Sequence, residues 1–267
     1  MSIPSFALIV TAAGSSLRFS STYENSESVK KEFLQLDGHS VLYRATEPFF
    51  EIPSLQAVVV TYKDDSLDET IVALEDLADI NTIPMFFVKG GKSRQESVKN
   101  ALDKLKEINI PFEYVAIQDG ARPYVTPRLI INVLATAFNS SGAVPALPVT
   151  DSIRRIDKTG SIIECPSRSG LVRVQTPQFF EFDKLIAAYE NQDINKATDD
   201  SEIYVKAGFN CCVCEGDEAN IKITYERDIP DARKQIESYI EDRRKGRASR
   251  EANETFRRLL NQVEDEL

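Results

Sequence analysis

Short, wholly apolar runs alternate along this chain with stretches in which apolar residues recur every three to four positions. Phe6–Val10, Ala57–Thr61, Met85–Val88, Tyr114–Gln118 and Ala143–Pro148 are continuous runs, and predict strands buried on both faces. Val41–Phe50, Leu67–Leu77, Ser93–Leu105 and Pro127–Phe138 carry helical spacing and lie between them. This alternation predicts an α/β fold with a Rossmann-like, mostly parallel sheet and helices on both faces. Such sheets bind ligands beyond the carboxyl ends of their strands, so chemistry is expected in the loops after Val10, Val88 and Gln118.

The alternation breaks after Val149. Ser152–Ile156 and Ser161–Glu164, joined by Asp157-Lys158-Thr159-Gly160, read as a hairpin that runs on to Leu171–Val174. This excursion, about residues 151–175, is expected to protrude as a β-arm for dimerisation. The α/β pattern then resumes. Lys184–Tyr189 reads as a helix, Asn210–Cys214 and Ile221–Thr224 as strands, and Asp231–Ile240 as a helix. From Glu241 the composition changes. Arg243, Arg244, Lys245, Arg247 and Arg250 precede an apolar stripe at Phe256, Leu259, Leu260, Val263 and Leu267. Residues 1–240 are therefore taken as one domain and 241–267 as a helical extension that docks on its own domain or on a dimer mate.

Charge narrows the partners. With Lys+Arg 32 against Asp+Glu 42, the net charge is -10, which repels nucleic acid but leaves a small anionic substrate open if cations converge on one pocket. No apolar run is long enough to span a membrane, and no basic segment precedes Phe6–Ala13, so neither membrane association nor a signal peptide is expected and a cytoplasmic location follows. The four cysteines are Cys165, Cys211, Cys212 and Cys214, and the last three read as free thiols in a buried strand, Phe209–Val213. The single histidine, His39, sits in a turn and is given no chemistry.

The first strand opens into Thr11-Ala12-Ala13-Gly14-Ser15-Ser16-Leu17-Arg18. Small residues let backbone amides approach a phosphate. The loop lacks the Gly-Lys-Ser/Thr ending of a Walker A loop and the later glycines of the dinucleotide fingerprint. Arg18 and the following Lys30-Lys31-Glu32-Phe33-Leu34 add cations, which suits phosphoryl or nucleotidyl transfer, where charge grows on non-bridging oxygens.

Six segments in order resemble the 2-C-methyl-D-erythritol 4-phosphate cytidylyltransferases. They are the Ala-Ala-Gly-x-x-x-Arg loop with its downstream lysine, Gly90-Gly91-Lys92-Ser93-Arg94-Gln95-Glu96-Ser97-Val98, Asp119-Gly120-Ala121-Arg122-Pro123, Thr176-Pro177-Gln178-Phe179-Phe180, Thr198-Asp199-Asp200 and Asn220-Ile221-Lys222-Ile223-Thr224. The resemblance implies transfer of CMP from CTP to 2-C-methyl-D-erythritol 4-phosphate. A ribitol-5-phosphate cytidylyltransferase, or a non-catalytic nucleotide-binding protein of the same fold, are the alternatives. It further implies that Ala12, Ala13, Gly14, Gly91 and Ser97 contact CTP and that Arg18, Lys31 and Lys222 are catalytic. Asp119 would hold Mg²⁺ against the phosphates or bind the ribose, and Arg122, Thr176 and Thr198 would serve the acceptor. Lys222 and Thr198 would hold the acceptor phosphate or the α-phosphate. Arg168, on the arm, would reach the acceptor in the partner of a homodimer. Arg122 reads equally well as a structural ion-pair former. The chain departs from the pattern in a longer Arg18–Lys31 loop, in Gln118 where a histidine is usual, in Lys92 for a frequent acidic residue and in Ser152 for a frequent threonine. No fused cyclodiphosphate synthase is expected after the domain.

Overall fold

The computed structural model describes residues 3–14, 19 and 30–229. Arg18, the predicted helix Asp231–Ile240 and the basic extension 241–267 lie outside the described residues.

The central sheet is built around β1 (Phe6–Thr11), which pairs in parallel with β4 (Leu55–Tyr62) on one side and β6 (Tyr114–Asp119) on the other. Beyond β4 lies β5 (Met85–Lys89), also parallel. Beyond β6 the direction reverses. Strand β11 (Gln178–Glu181) runs antiparallel to β6 and to the start of β7 (Gly142–Pro148). β10 (Val172–Val174) pairs antiparallel with the end of β7, and β12 (Cys212–Glu215) pairs with it in parallel. Strand side chains alternate between faces, so Phe6, Leu8 and Val10 fill one core while Ala7 and Ile9 fill the other. The first core takes α1 (Val41–Thr46) and α5 (Pro127–Ser140). The second takes α4 (Arg94–Glu107), α6 (Phe182–Asn191) and α7 (Asp200–Lys206). A sheet covered on both faces explains why its strands read as unbroken apolar runs.

Helix starts follow side-chain capping. Ser93 Oγ accepts from the Glu96 amide, Thr126 Oγ1 from Leu129 with Pro127 at the first turn, and Asp199 from Glu202. Asp37 and Gly38, both at positive φ (50° and 80°), turn the small hairpin of β2 (Gln35–Leu36) and β3 (His39–Ser40).

Four expectations need correction. Val41–Phe50 is not one α-helix: α1 stops at Thr46 and a 3-10 turn, Glu47–Glu51, follows, because Pro48 cannot donate into an α-helical ladder. Leu67–Leu77 divides into α2 (Leu67–Val72) and α3 (Glu75–Ile80). The cysteine strand is a half-buried edge, with Val213 exposed, rather than core. Burial still pushes the Cys211 thiol up to about 12 and Cys214 up to about 11. Ile221–Thr224 forms no strand; the Ile223 amide donates to Ala121 O alone at 2.9 Å.

The arm leaves the sheet at the end of β7. Its tip is a short antiparallel hairpin, β8 (Arg155–Ile156) with β9 (Ile162–Glu164). Asp157 caps the turn, its carboxylate accepting from the Thr159 hydroxyl and from the Thr159 and Ser161 amides, and these bonds, the hydroxyl's first, lower its pKa. No helix of the described residues is long and apolar enough to cross a membrane.

Candidate active site

A cleft of about 590 Å³ lies where the carboxyl ends of β1, β5 and β6 meet. Thr11, Ala13 and Gly14 line it from β1, Gly91, Ser93 and Ser97 from the β5–α4 turn, and Asp119 and Ala121 from β6. These are the three loops that the strand pattern singled out. Five cationic side chains, Lys31, Lys63, Lys92, Arg94 and Lys222, face two carboxylates, Glu32 and Asp119, in this cleft. A positive cleft on a chain of net charge -10 concentrates a small polyanion.

The glycines bring two loops together. A Cβ at Gly90 would stand 2.2 Å from Ala13 Cβ and 2.9 Å from Ser97 Oγ, so only glycine lets the β5 turn lie against the β1 loop. Ser97 Oγ then accepts from the Gly91 amide at 3.0 Å and donates to Ser93 O at 2.9 Å, which fixes the turn. If the cleft takes CTP, as the sequence resemblance implies, Gly90→Ala is expected to push the Ala13 loop away and raise the KM for CTP about tenfold or more with a smaller change in kcat. Steady-state kinetics with nucleotide as the varied substrate decides it, and an unchanged KM refutes the coupling of the loops.

The two lysines expected to be catalytic that fall within the described residues arrive from distant segments. Lys31 sits on a 3-10 turn, Lys31–Phe33, is 9% exposed, and its Nζ donates to Ile223 O at 2.8 Å. Lys222, next to that carbonyl, donates from Nζ to Asp119 Oδ2 at 2.7 Å. Asp119 also meets Arg94, whose Nε reaches Oδ1 at 3.3 Å, and Arg122, whose Nε lies 3.6 Å from Oδ2. Burial by itself would raise the Asp119 carboxyl, but Lys222, Arg94 and Arg122 together hold it well below the usual carboxylate range. Burial lowers the Arg122 guanidinium, against the pull of Asp119.

Not every expected contact residue faces the cleft. Ala12 is buried, and its amide is taken by the carbonyl and hydroxyl of Thr61, each at 3.2 Å. Thr176 is buried, its hydroxyl accepting from the Asp119 amide at 3.1 Å and donating to Gln118 Oε1 at 2.8 Å. Gln118 completes that pairing by donating to Arg122 O at 3.2 Å, so the glutamine does a structural job at the position where the family pattern has histidine. Arg122 NH1 donates to Asn220 O at 2.7 Å, tying β6 to the Lys222 segment. Thr198 donates twice to Glu202 Oε2, and Arg168, exposed on the arm, donates to Thr150 O. Neither Thr198 nor Arg168 lines the cleft.

Sequence reading missed three groups. Arg94 stood inside the Gly-Gly motif without a role, and its second partner, Asp200, lies 106 residues away. Asp200 was taken only as part of a helix start. Lys63, which lines the cleft from the loop after β4, had no motif to mark it.

The model of the IspD family, 2-C-methyl-D-erythritol 4-phosphate cytidylyltransferase, matches residues 6–238. A bifunctional enzyme IspD/IspF of Paracoccus denitrificans (strain Pd 1222) is 36% identical over 231 residues, 86% of this chain and 56% of that protein. A 2-C-methyl-D-erythritol 4-phosphate cytidylyltransferase of Caldanaerobacter subterraneus subsp. tengcongensis is 33% identical over 225 residues, covering 83% of this chain and 94% of that one. The crystal structure of 4-diphosphocytidyl-2C-methyl-D-erythritol synthase from Anaerococcus prevotii DSM 20548 superposes with a TM-score of 0.70 at 24% identity, over 88% of this chain and 100% of that one, a likeness of fold. This chain spans only 54% to 58% of the length of the bifunctional relatives it matches.

Proposed function

The chain belongs to the IspD family, and from that premise we propose that it transfers CMP from CTP to 2-C-methyl-D-erythritol 4-phosphate, giving 4-diphosphocytidyl-2-C-methyl-D-erythritol and pyrophosphate. The observation that carries this reading is the convergence of Lys31 and Lys222, 191 positions apart in sequence, on neighbouring groups above β1 and β6, with Lys31 on Ile223 O and Lys222 on Asp119. A phosphate oxygen of the acceptor attacks the α-phosphorus of CTP. The new P–O bond forms in line with the breaking bond to the β-phosphate, and pyrophosphate leaves with the electron pair. A phosphate dianion is already nucleophilic at neutral pH, so no general base is required. The protein's contribution is positioning and charge. Lys31 and Lys222, with Arg18 beyond the described residues, meet the charge that grows on the α-phosphate, while Ala13, Gly14 and Gly91 hold the nucleotide. Arg122 and Thr176 act on the acceptor side through the groups they hold, Arg122 through Asn220 O and Thr176 through the Asp119 amide.

Mg²⁺ fits this site only as an ion shared with the substrate. Among the described residues no group of three His, Cys, Asp or Glu side chains forms a cage, and Asp119 is one carboxylate already bonded to Lys222. One carboxylate plus phosphate oxygens and water is a common magnesium environment. Asp119 would hold the ion there, and the ion would offset triphosphate charge.

The experiment is pyrophosphate release from CTP with each acceptor. Release with 2-C-methyl-D-erythritol 4-phosphate, at least about a hundredfold above ribitol 5-phosphate, supports the proposal. The reverse preference names the ribitol enzyme, and no release with either leaves a nucleotide-binding protein.

The arm supports a homodimer. Ile156, Ile162 and Ile163 are 58%, 60% and 59% exposed, and Leu171 and Val172 are also open. A run of apolar side chains on a protruding hairpin needs cover. A second copy supplies it reciprocally and carries each Arg168 to its neighbour's acceptor site. Mixing inactive Lys31→Ala and Arg168→Ala variants is then expected to restore about a quarter of the sites, because one site of each mixed dimer carries neither change. With both single variants dimeric and impaired, flat activity on mixing sinks the shared site.

A further inference from the structure

Asp200 is wholly buried in the first turn of α7, away from the cleft surface. A buried carboxylate is costly unless its oxygens are bonded and its charge is matched. Both conditions are met. Arg94 NH1 donates to Oδ2 at 2.7 Å, and the Tyr189 hydroxyl of α6 donates to Oδ1 at 2.5 Å. Arg94 is not spent on Asp200 alone. Arg94 uses its Nε on Asp119 Oδ1 at 3.3 Å, and Asp119 uses Oδ2 on Lys222 Nζ at 2.7 Å. Charges therefore alternate along one line from the core to the cleft: Asp200, Arg94, Asp119, Lys222.

We propose that Asp200 is a positioning residue, which acts through the Arg94 guanidinium and the Asp119 carboxylate to fix where the Lys222 ammonium stands in the cleft. The guanidinium is planar, so an atom held at NH1 also orients Nε. Its anchor is firm, because α6 and α7 pack into the second core through Leu185, Ala188, Ile203 and Tyr204. Gln95, beside Arg94, ties the same α4 turn to Ala197 O at 2.7 Å. At the other end, Lys222 is 35% exposed on a flexible four-carbon stem, and its position depends on the carboxylate it bonds. Burial by itself would lower the Arg94 guanidinium, but Asp200 and then Asp119 raise it above its ordinary value, so Arg94 stays charged.

The inference rests on the role given to Lys222 under the proposed reaction, so its test has one readout in turnover and one that needs none. Asp200→Asn keeps the shape and lets one amide oxygen accept from Arg94 while the amide nitrogen donates to Tyr189. It removes the charge that orients the guanidinium. Turnover is expected to fall about tenfold with the KM for CTP changed by no more than about threefold, the signature of a misplaced catalytic group. Because Asp200 acts only through Arg94, the double variant Asp200→Asn, Arg94→Gln is expected to be no slower than Arg94→Gln alone. Additive losses, or a fall in the amount of active enzyme at unchanged turnover per active molecule, would mark Asp200 as a stability residue and overturn the proposal. Should Asp200→Asn fail to fold, Arg94→Lys, which keeps the charge but loses the fork, reads the same way through the split between kcat and KM. The second readout is a crystal structure of Asp200→Asn beside the parent protein. Lys222 displaced from Asp119 supports the proposal, and an unchanged Lys222–Asp119 pair overturns it. If the parent protein releases no pyrophosphate, the proposed reaction fails, and the two crystal structures still decide the positioning.

Discussion

Lys31→Ala is expected to lower kcat by about 10²-fold or more, a loss of about 2.7 kcal/mol of transition-state stabilisation, while CTP binding falls less. The size follows from where the amine sits. Lys31 is 9% exposed and is bonded to Ile223 O, so its charge acts in a partly dehydrated place where a cation is worth more than in water. The proposed ground-state grip on the triphosphate would be shared with Lys63, Lys92 and Lys222, other cations of the same cleft, which is why binding is expected to suffer less than turnover. The measurement is steady-state turnover with CTP and acceptor each varied, alongside a thermal melt. Unchanged kcat with a lowered melting point would return Lys31 to a structural role.

Asp119→Ala is expected to cost about 3 kcal/mol of stability as well as most of the activity, the low end for removing one partner from a buried charge cluster. Three cations are left facing one another: Arg94, Arg122 and Lys222. The cost stays at the low end because Lys222 is 35% exposed and turns to water. The pH dependence follows in sign. The three cations lower the Asp119 carboxyl in the folded protein below its value of about 3.9 in the unfolded chain. Its stabilisation is therefore complete above about pH 4 and is lost only as the pH falls through the folded value. Urea unfolding of parent and variant at pH 5 and pH 8 is expected to give the same difference. A difference that shrinks between pH 8 and pH 5 contradicts the assignment.

Most of the sheet was legible because its strands are buried on both faces and leave unbroken apolar runs such as Phe6–Val10 and Tyr114–Gln118. β11 was not read as a strand. Its four residues, Gln178–Glu181, give no local sign that they will slot antiparallel between β6 and β7, since that placement depends on pairing across the whole chain. Ile221–Thr224 was misread for the opposite reason. Its alternating β-branched residues look like a strand, but the carbonyl of Ile223 goes to a lysine and its amide to a turn. In the site, the loops came from the strand pattern and Lys31, Lys222 and Asp119 from motif order, and the cleft gathers all three residues. The role of Arg94 did not, because an ion pair spanning 106 residues has no signature in spacing. Nor did spacing show that the Ala12 amide and the Thr176 hydroxyl are occupied by protein partners.

The late position of β11 bears on how the chain is completed during synthesis. The parallel block β5-β4-β1-β6 is encoded by residue 119, and β7 by residue 148, yet β6 and β7 do not pair with each other and are joined only when residues 178–181 fill the slot between them. A growing chain halted anywhere in the arm therefore exposes an unpaired edge on the apolar strand β6, the kind of edge that recruits strands from other molecules. Ribosome-released fragments ending before residue 178 are expected to aggregate faster, by light scattering, than the fragment through β11.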